Sequence, residues 1–151
     1  MYQDFKDLLS AFHDHGVKYC WGYAVSFHGQ PRATKDIDLF IKADSANAKA
    51  THAALIAFGV PLHDIAEQDL ANHSISSDSG RNRWAVDIIP GVDGVDFDSA
   101  WERRVEGAID ADLTAVFISR DDLIASKLAA GRLRDRAEVE EIRAAGDAQR
   151  D

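Results

Sequence analysis

The chain has 151 residues, of which 46% are hydrophobic and 28% charged, a composition typical of a soluble globular protein. This length predicts one domain over residues 1–151, with a core over about 1–118 and C-terminal helices over about 119–147. The net charge of −9 argues against broad, sequence-independent nucleic-acid binding, which depends on Lys and Arg neutralising phosphates.

Two further properties limit the class of protein. The sequence has no apolar run of membrane-spanning length and no basic segment followed by a hydrophobic one at its start, so we expect a cytoplasmic protein with no membrane partner. The single cysteine, Cys20, excludes an internal disulfide and a cysteine-rich zinc site. Because Cys20 lies between Tyr19 and Trp21 in a predicted strand, we interpret it as a buried, inert thiol.

The first half of the chain is predicted to alternate helices and strands. Four apolar residues recur at helical spacing near the start: Phe5, Leu8, Leu9 and Phe12. Gly16 follows them and indicates the end of this amphipathic helix. The next predicted elements are a buried strand at 17–21, one or two helical turns at 23–28, a loop at 30–33, a strand at 34–41 and a helix at 45–58.

The second half predicts a hairpin and a helical end. The predicted elements are a short helix near 66–70, a hairpin of 74–76 with 83–89, a helix at 97–105, a strand at 115–118 and helices at 121–130 and 134–145. Ser119, with Asp122 three residues later, is a predicted N-cap, and Gly131 separates the last two helices. These elements predict an α/β (α+β) fold, with a mixed β-sheet flanked by helices and C-terminal helices.

Two aspartates interrupt the predicted strand at 34–41. Asp36 and Asp38 are two residues apart, so on a strand their side chains share one face. Adjacent carboxylates repel each other, and a divalent cation between them relieves the repulsion, which suggests Mg²⁺. For the pair alone, the simpler interpretation is a strand end at which Asp36 caps a turn and Asp38 faces water.

Asp87 is the one charged residue in the apolar segment 84–89, so its carboxylate also needs a partner that stabilises its charge. A salt bridge to a nearby Arg, or a position at the end of the strand, would explain Asp87 by itself. Together with Asp36 and Asp38, a metal centre of three carboxylates becomes the better interpretation.

Three sequence runs carry a resemblance to a known family. They are YCWGYA at 19–24, HGQPRATKDIDL at 28–39 and DLIASKLAAGRLRD at 122–135. The first two resemble the signature of small nucleotidyltransferases of the DNA polymerase beta superfamily: a strand, a glycine turn that opens a helix, and an Asp-x-Asp strand. Asp87 stands where that family has a third acid. The last run resembles bacterial members found in toxin–antitoxin and phage-resistance loci, so the resemblance spans essentially the whole chain.

The resemblance implies a nucleotidyltransferase-like sheet and a set of site residues. The residues implied to be catalytic and to bind Mg²⁺ or Mn²⁺ are Asp36, Asp38 and Asp87. Those implied to bind the nucleoside triphosphate are Gly22, Tyr23, Arg32, Thr34, Lys127 and Arg132. The implied reaction moves a nucleoside monophosphate to a hydroxyl of a tRNA, a protein or a small molecule, through positioning and electrostatic stabilisation.

Trp21 departs from the family pattern, which has a small residue before Gly22. An indole there would hinder close approach of phosphates to the backbone. The alternative function is therefore a weakly active or inactive binding or regulatory module that acts with a partner protein. A metal-dependent phosphodiesterase or nuclease is a third alternative, which the glycine turn disfavours. Lys127 and Arg132 are also open to interpretation as charges on a helix surface.

Overall fold

The computed structural model describes residues 3–21, 36–60, 62, 64–78, 85–108 and 111–150. The helices in these ranges are α1 (Gln3–Asp14), α2 (Ser45–Phe58), α3 (Glu67–Asn72), α4 (Phe97–Glu102), α5 (Arg120–Ala130) and α6 (Leu133–Arg150). The strands are β1 (Tyr19–Trp21), β2 (Asp36–Ile41), β3 (Ile75–Asp78), β4 (Ala85–Ile89), β5 (Val105–Ala108) and β6 (Thr114–Phe117). None of these helices is long and apolar enough to cross a lipid bilayer.

The strands form one six-stranded mixed sheet in the order β3-β4-β2-β1-β6-β5. β2 pairs parallel with β4, and β1 pairs parallel with β6. The pairs β1–β2, β3–β4 and β5–β6 are antiparallel. This sheet with its flanking and C-terminal helices confirms the predicted mixed fold, including the hairpin formed by β3 and β4.

One face of the sheet packs against α1. Because side chains alternate along a strand, Tyr19 and Trp21 of β1 share this face with their β2 partners Ile41 and Leu39. All four side chains are essentially inaccessible to solvent. On α1, Phe12 makes an edge-to-face contact with Tyr19, with 5.6 Å between the ring centroids. Burial of such side chains is the main stabilising contribution to a fold of this size, at about 1.5–3 kcal/mol each.

Asn47 fastens α2 to the ends of two strands. Its side chain accepts a hydrogen bond from the Lys18 backbone N–H at 2.8 Å. It donates to the backbone oxygens of Lys18 and Lys42 at 3.0 and 2.9 Å. The helix itself starts after Asp44, whose carboxylate accepts from the Asn47 N–H, and ends at Gly59, where φ is +104°. These contacts fix α2 against β1 and β2.

The helix predicted at 97–105 is shorter in the structure, and a strand follows it. α4 ends at Glu102, and Val105 begins β5, which pairs with β6. Arg103 lies at the helix end and donates two hydrogen bonds to Asp122, at 3.1 and 2.7 Å. This ion pair, in which Asp122 is buried and Arg103 is half exposed, and the pairing of β5 with β6 outweigh the local helical pattern. The predicted turns at 23–28 and loop at 30–33 lie outside the described residues.

The first C-terminal helix begins and ends where the sequence predicts, whereas the second continues to Arg150, beyond the predicted end at 145. Ser119 caps α5, since its side chain accepts a hydrogen bond from the Asp122 N–H. Gly131, with φ of +70°, ends the helix. α6 then packs on α5, with Val139 and Ile142 buried.

Candidate functional site

Two of the three predicted acids are direct neighbours across the sheet. Asp38 on β2 and Asp87 on β4 are register partners in the parallel pairing of these strands. Neighbouring strands are about 4.8 Å apart, and partner side chains project from the same face. The backbone of Asp36 lies two residues earlier on β2, opposite Ala85, and its side chain is outside the described part of the molecule. The sheet therefore holds the Asp38 and Asp87 carboxylates side by side.

A hydroxyl on the third strand binds Asp87. Ser76 of β3 is the register partner of Asp87, and its Oγ donates to Asp87 Oδ1 at 2.5 Å. A hydrogen bond to an ionised carboxylate is stronger than one between neutral groups. Ser76 thus orients one oxygen of Asp87.

Asp38 is exposed and opens onto a cleft of about 220 Å³ between the sheet and the C-terminal helices. On the sheet side the lining residues are Cys20, Asp38, Phe40, Ile89 and Ile118. On the helix side they are Leu123, Ser126, Lys127, Ala130, Arg132 and Asp135. The α5 residues recur at spacings of three and four, which places them on one face of the helix. The cleft thus has the Asp38 carboxylate on one wall, and two cationic side chains together with the Asp135 carboxylate on the other.

The loop between β4 and α4 closes part of the cleft with Val92 and Asp93. Gly94 in this loop has φ of +75° and lies against α5. A Cβ on Gly94 would lie 2.8 Å from the Ala129 Cβ and 3.3 Å from the Ala125 carbonyl oxygen. Only glycine combines a positive φ with such a close approach to α5. Gly94 therefore allows the loop to pack directly on this helix.

The cationic wall is built as a network of ion pairs. Arg132 donates to Asp135 through Nε and Nη2, at 2.6 and 3.3 Å. Lys127 Nζ forms a short ion pair with Glu138 and lies 3.9 Å from Asp135. The hydrogen bond from Arg132 lowers the pKa of Asp135, although burial of this carboxylate opposes the shift. Asp135 is therefore an anion at neutral pH. Lys127 and Arg132 are more than isolated charges on a helix surface.

Trp21 lies on the face of the sheet opposite the acids. Its register partner is Leu39, whose side chain alternates with that of Asp38. The indole is fully buried and stacks on Phe117, with ring centroids 5.2 Å apart and an interplanar angle of 16°. This packing places the side chain in the core and away from the cleft.

Cys20 lines the cleft as an unreactive thiol. It is buried, and desolvation raises its pKa to about 12. The thiol is protonated at neutral pH and so is a poor nucleophile. The structure confirms that Cys20 is buried.

The structure brings together part of the predicted site. Asp38, Lys127 and Arg132 line one cleft, and Asp87 adjoins Asp38. The remaining predicted nucleotide-binding residues lie outside the described ranges: Gly22, Tyr23, Arg32 and Thr34. Among the side chains that the structure describes, no group of three or more His, Cys, Asp or Glu could hold a metal ion. That set excludes the Asp36 side chain, so the centre of three carboxylates stays a prediction.

Sequence reasoning missed several polar residues of this site, among them Ser76, Asp93, Asp135 and Glu138. Asp135 and Glu138 follow Arg132 at successive spacings of three, a pattern that places all three side chains near one face of a helix. That spacing was a usable signal for the ion-pair network. Asp93 reaches the cleft through the path of a loop, for which the sequence offers no comparable signal.

Comparison of the sequence with protein-family models finds no match, and comparison with curated proteins finds none either. The family resemblance rests on the motifs at 19–39 and 122–135.

Proposed function

We propose that the protein is an Mg²⁺-dependent nucleotidyltransferase, which moves a nucleoside monophosphate from a triphosphate to an acceptor hydroxyl. In this reaction the acceptor hydroxyl loses its proton with the help of Asp87, and its oxygen forms a bond to the α-phosphorus. The bond from that phosphorus to the leaving oxygen breaks, and pyrophosphate is released. The observation that carries the proposal is the register pairing of Asp38 with Asp87 beside a cleft whose other wall holds Lys127 and Arg132.

The acidic face has the donor chemistry that Mg²⁺ prefers. Asp38 and Asp87 offer hard oxygen ligands from a rigid sheet, and the exposure of Asp38 leaves room for water or phosphate oxygens. Asp36, two residues before Asp38 on the same strand, would add a third carboxylate. Bound Mg²⁺, or Mn²⁺, would supply Lewis-acid stabilisation of the charge on the phosphate oxygens.

In this proposal the residues have separate roles in binding the metal and binding the phosphates. The carboxylates of Asp36, Asp38 and Asp87 would hold the metal, and Ser76 fixes the orientation of Asp87. Lys127 and Arg132 face the same cleft and attract the anionic phosphates. From the sequence motif, Gly22, Tyr23, Arg32 and Thr34 contribute further phosphate contacts. Trp21 supports the proposal because its indole packs in the core rather than in the cleft.

The binding test uses calorimetry with each nucleoside triphosphate in the presence of Mg²⁺ or Mn²⁺. We expect metal-dependent binding that Asp38→Asn weakens at least about tenfold, because a neutral amide is a poorer ligand for a hard cation than a carboxylate. Asp14→Asn, a matched change of an exposed residue at the end of α1, should leave binding unchanged. Equal affinity in the wild type and Asp38→Asn would contradict the assignment of the metal to this face.

The transfer test separates the three functional classes. Labelled triphosphates are incubated with tRNA, proteins or small hydroxylated molecules, and both the labelled product and pyrophosphate are measured. Label on an acceptor, lost in Asp87→Asn, supports the transferase. Metal-dependent cleavage of a phosphodiester without label transfer identifies the nuclease instead. Binding without either reaction identifies the binding module.

A further inference from the structure

Lys127 is held by acids on the neighbouring helix. Its side chain is only 18% exposed, and its ammonium forms a short ion pair with Glu138, whose side chain is 14% exposed. Lys127 lines the cleft, whereas Glu138 does not. The ammonium is therefore in contact with an anion that is not itself among the lining residues of the cleft.

The charges of this wall balance. Two cations, Lys127 and Arg132, are bonded to two anions, Asp135 and Glu138. Asp135 is 1% exposed and is held by two hydrogen bonds from Arg132, so it is a fixed part of the helix packing. Glu138 lies one helical turn further along α6 and directs its charge at Lys127. An anion entering the cleft thus meets a wall with no net positive charge from these four side chains.

We propose that Glu138 is a positioning residue that competes with anionic ligands for Lys127 and so limits the affinity of the cleft for polyphosphates. This inference rests on the proposed function, because it takes Lys127 as the group that meets the phosphates. A ligand anion in the cleft would contact the same ammonium that Glu138 binds, with Asp135 3.9 Å away. Glu138 thereby keeps the ammonium in place and also repels the ligand.

The two effects of Glu138 have opposite signs, and their magnitudes can be compared. Two anions on opposite sides of one ammonium are about 6 Å apart, since each charged hydrogen bond is about 2.8 Å long. Their repulsion lowers ligand affinity about threefold in a water-like dielectric and about a hundredfold at an effective dielectric constant of 20. Loss of the Glu138 charge should therefore tighten binding at least about threefold. A residue that only oriented Lys127 would give weaker binding when it was changed.

The test measures binding of inorganic tripolyphosphate to the full chain by calorimetry, with EDTA present to exclude metal. Glu138→Gln should bind at least about threefold more tightly than the wild type, with a steeper loss of affinity as salt rises. Lys127→Gln should bind more weakly. In the Lys127→Gln background, Glu138→Gln should have a much smaller effect, because the shared ammonium is absent.

Glu140→Gln is the matched control, the same substitution two residues away on α6. The Glu140 side chain is 77% exposed and pairs with Arg143, so its change should leave tripolyphosphate binding as in the wild type. Thermal unfolding followed by circular dichroism verifies that each variant folds. If Glu138→Gln does not fold, Glu138→Ala and Glu138→Ser remove the same charge with smaller side chains.

The inference is overturned if folded Glu138→Gln binds tripolyphosphate as weakly as the wild type or more weakly, or if the Glu140→Gln control tightens binding equally. Absence of tripolyphosphate binding in every variant also overturns it. A loss confined to Lys127→Gln leaves Lys127 as a phosphate contact, so the proposed function survives while the role of Glu138 fails. The proposed function is judged separately, by the metal dependence of triphosphate binding and its response to Asp38→Asn.

Discussion

Replacement of Trp21 tests whether this side chain belongs to the core and not to the proposed phosphate-binding site. Trp21 is 0% exposed and stacks on Phe117. Truncation of a buried Trp to Ala typically costs about 3–5 kcal/mol, a large part of the roughly 5–15 kcal/mol that stabilises a domain. We therefore expect Trp21→Ala to be severely destabilised, and Trp21→Gly more so, since glycine also weakens a strand. Trp21→Phe keeps an aromatic ring and should lose only about 1–2 kcal/mol.

The assay is urea unfolding followed by far-ultraviolet circular dichroism, combined with triphosphate calorimetry on the folded variants. Trp21→Phe should bind triphosphate with the wild-type affinity, because its ring packs on the face opposite Asp38. Trp101→Phe is the matched control at a partly exposed indole, and it should be less destabilising than Trp21→Phe. Two results would refute the reasoning: a loss below about 1 kcal/mol in Trp21→Ala, or a several-fold gain of triphosphate affinity in Trp21→Phe.

Three further predictions concern stability. Asn47→Ala leaves three backbone groups at the strand ends without their partner. The free energy of unfolding measured by urea titration should fall by about 2–4 kcal/mol. A loss below about 0.5 kcal/mol would contradict the role of Asn47. Gly94 has φ of +75°, and a Cβ added to it would lie 2.8 Å from the Ala129 Cβ. Gly94→Ala should therefore lower the free energy of unfolding by at least about 1–2 kcal/mol, and an unchanged melting temperature would show that the loop moves freely. Burial lowers the pKa of His13, which is hydrogen-bonded to the Tyr19 hydroxyl, so the unfolded chain binds a proton more readily there. Stability should therefore fall as pH drops below about 6.5, and His13→Gln should reduce this dependence in unfolding curves at pH 7, 6 and 5.

Local signals in the sequence were sufficient where a helix has its own start and stop. The helix at 45–58 ends at Gly59, which adopts the left-handed conformation that glycine favours. Ser119 and Gly131 likewise define the ends of α5. These features depend on residues within one turn of the helix end, so the sequence alone reveals them.

The missed strand depends on contacts between distant segments. Val105-Glu106-Gly107-Ala108 contains Gly, Glu and Ala, residues that are uncommon in strands, and it follows a helical pattern. Its structure depends on antiparallel pairing with β6 and on the bond between Arg103 and Asp122. Such pairing is invisible to propensities read over neighbouring residues.

For the site, the sequence indicated which residues are chemically unusual but not how they are arranged. Alternation predicted that Asp36 and Asp38 share a face, whereas the pairing of Asp38 with Asp87 follows from the register between β2 and β4. The sequence also indicated two cationic residues late in the chain, Lys127 and Arg132. It did not reveal that Lys127 is bonded to acids on α6, because that contact depends on how α5 and α6 pack.

The order of the strands has a mechanical consequence for the cleft. The sheet has two parts. The strands β3-β4-β2 carry the acids, and the strands β6-β5 continue into the helices of the cationic wall. The three residues of β1 join these two parts. In the described residues, β1 and β6 share the single register pair Trp21 with Phe117, beside a hydrogen bond of 3.3 Å from the Ile118 N–H to the Trp21 oxygen. The stack of Trp21 on Phe117 lies across this junction, with 5.2 Å between the ring centroids. We expect the Ile118 amide to exchange with solvent faster than the amides of Leu39 and Ile88. We also expect the width of the cleft to vary when the pairing of β1 with β6 opens locally.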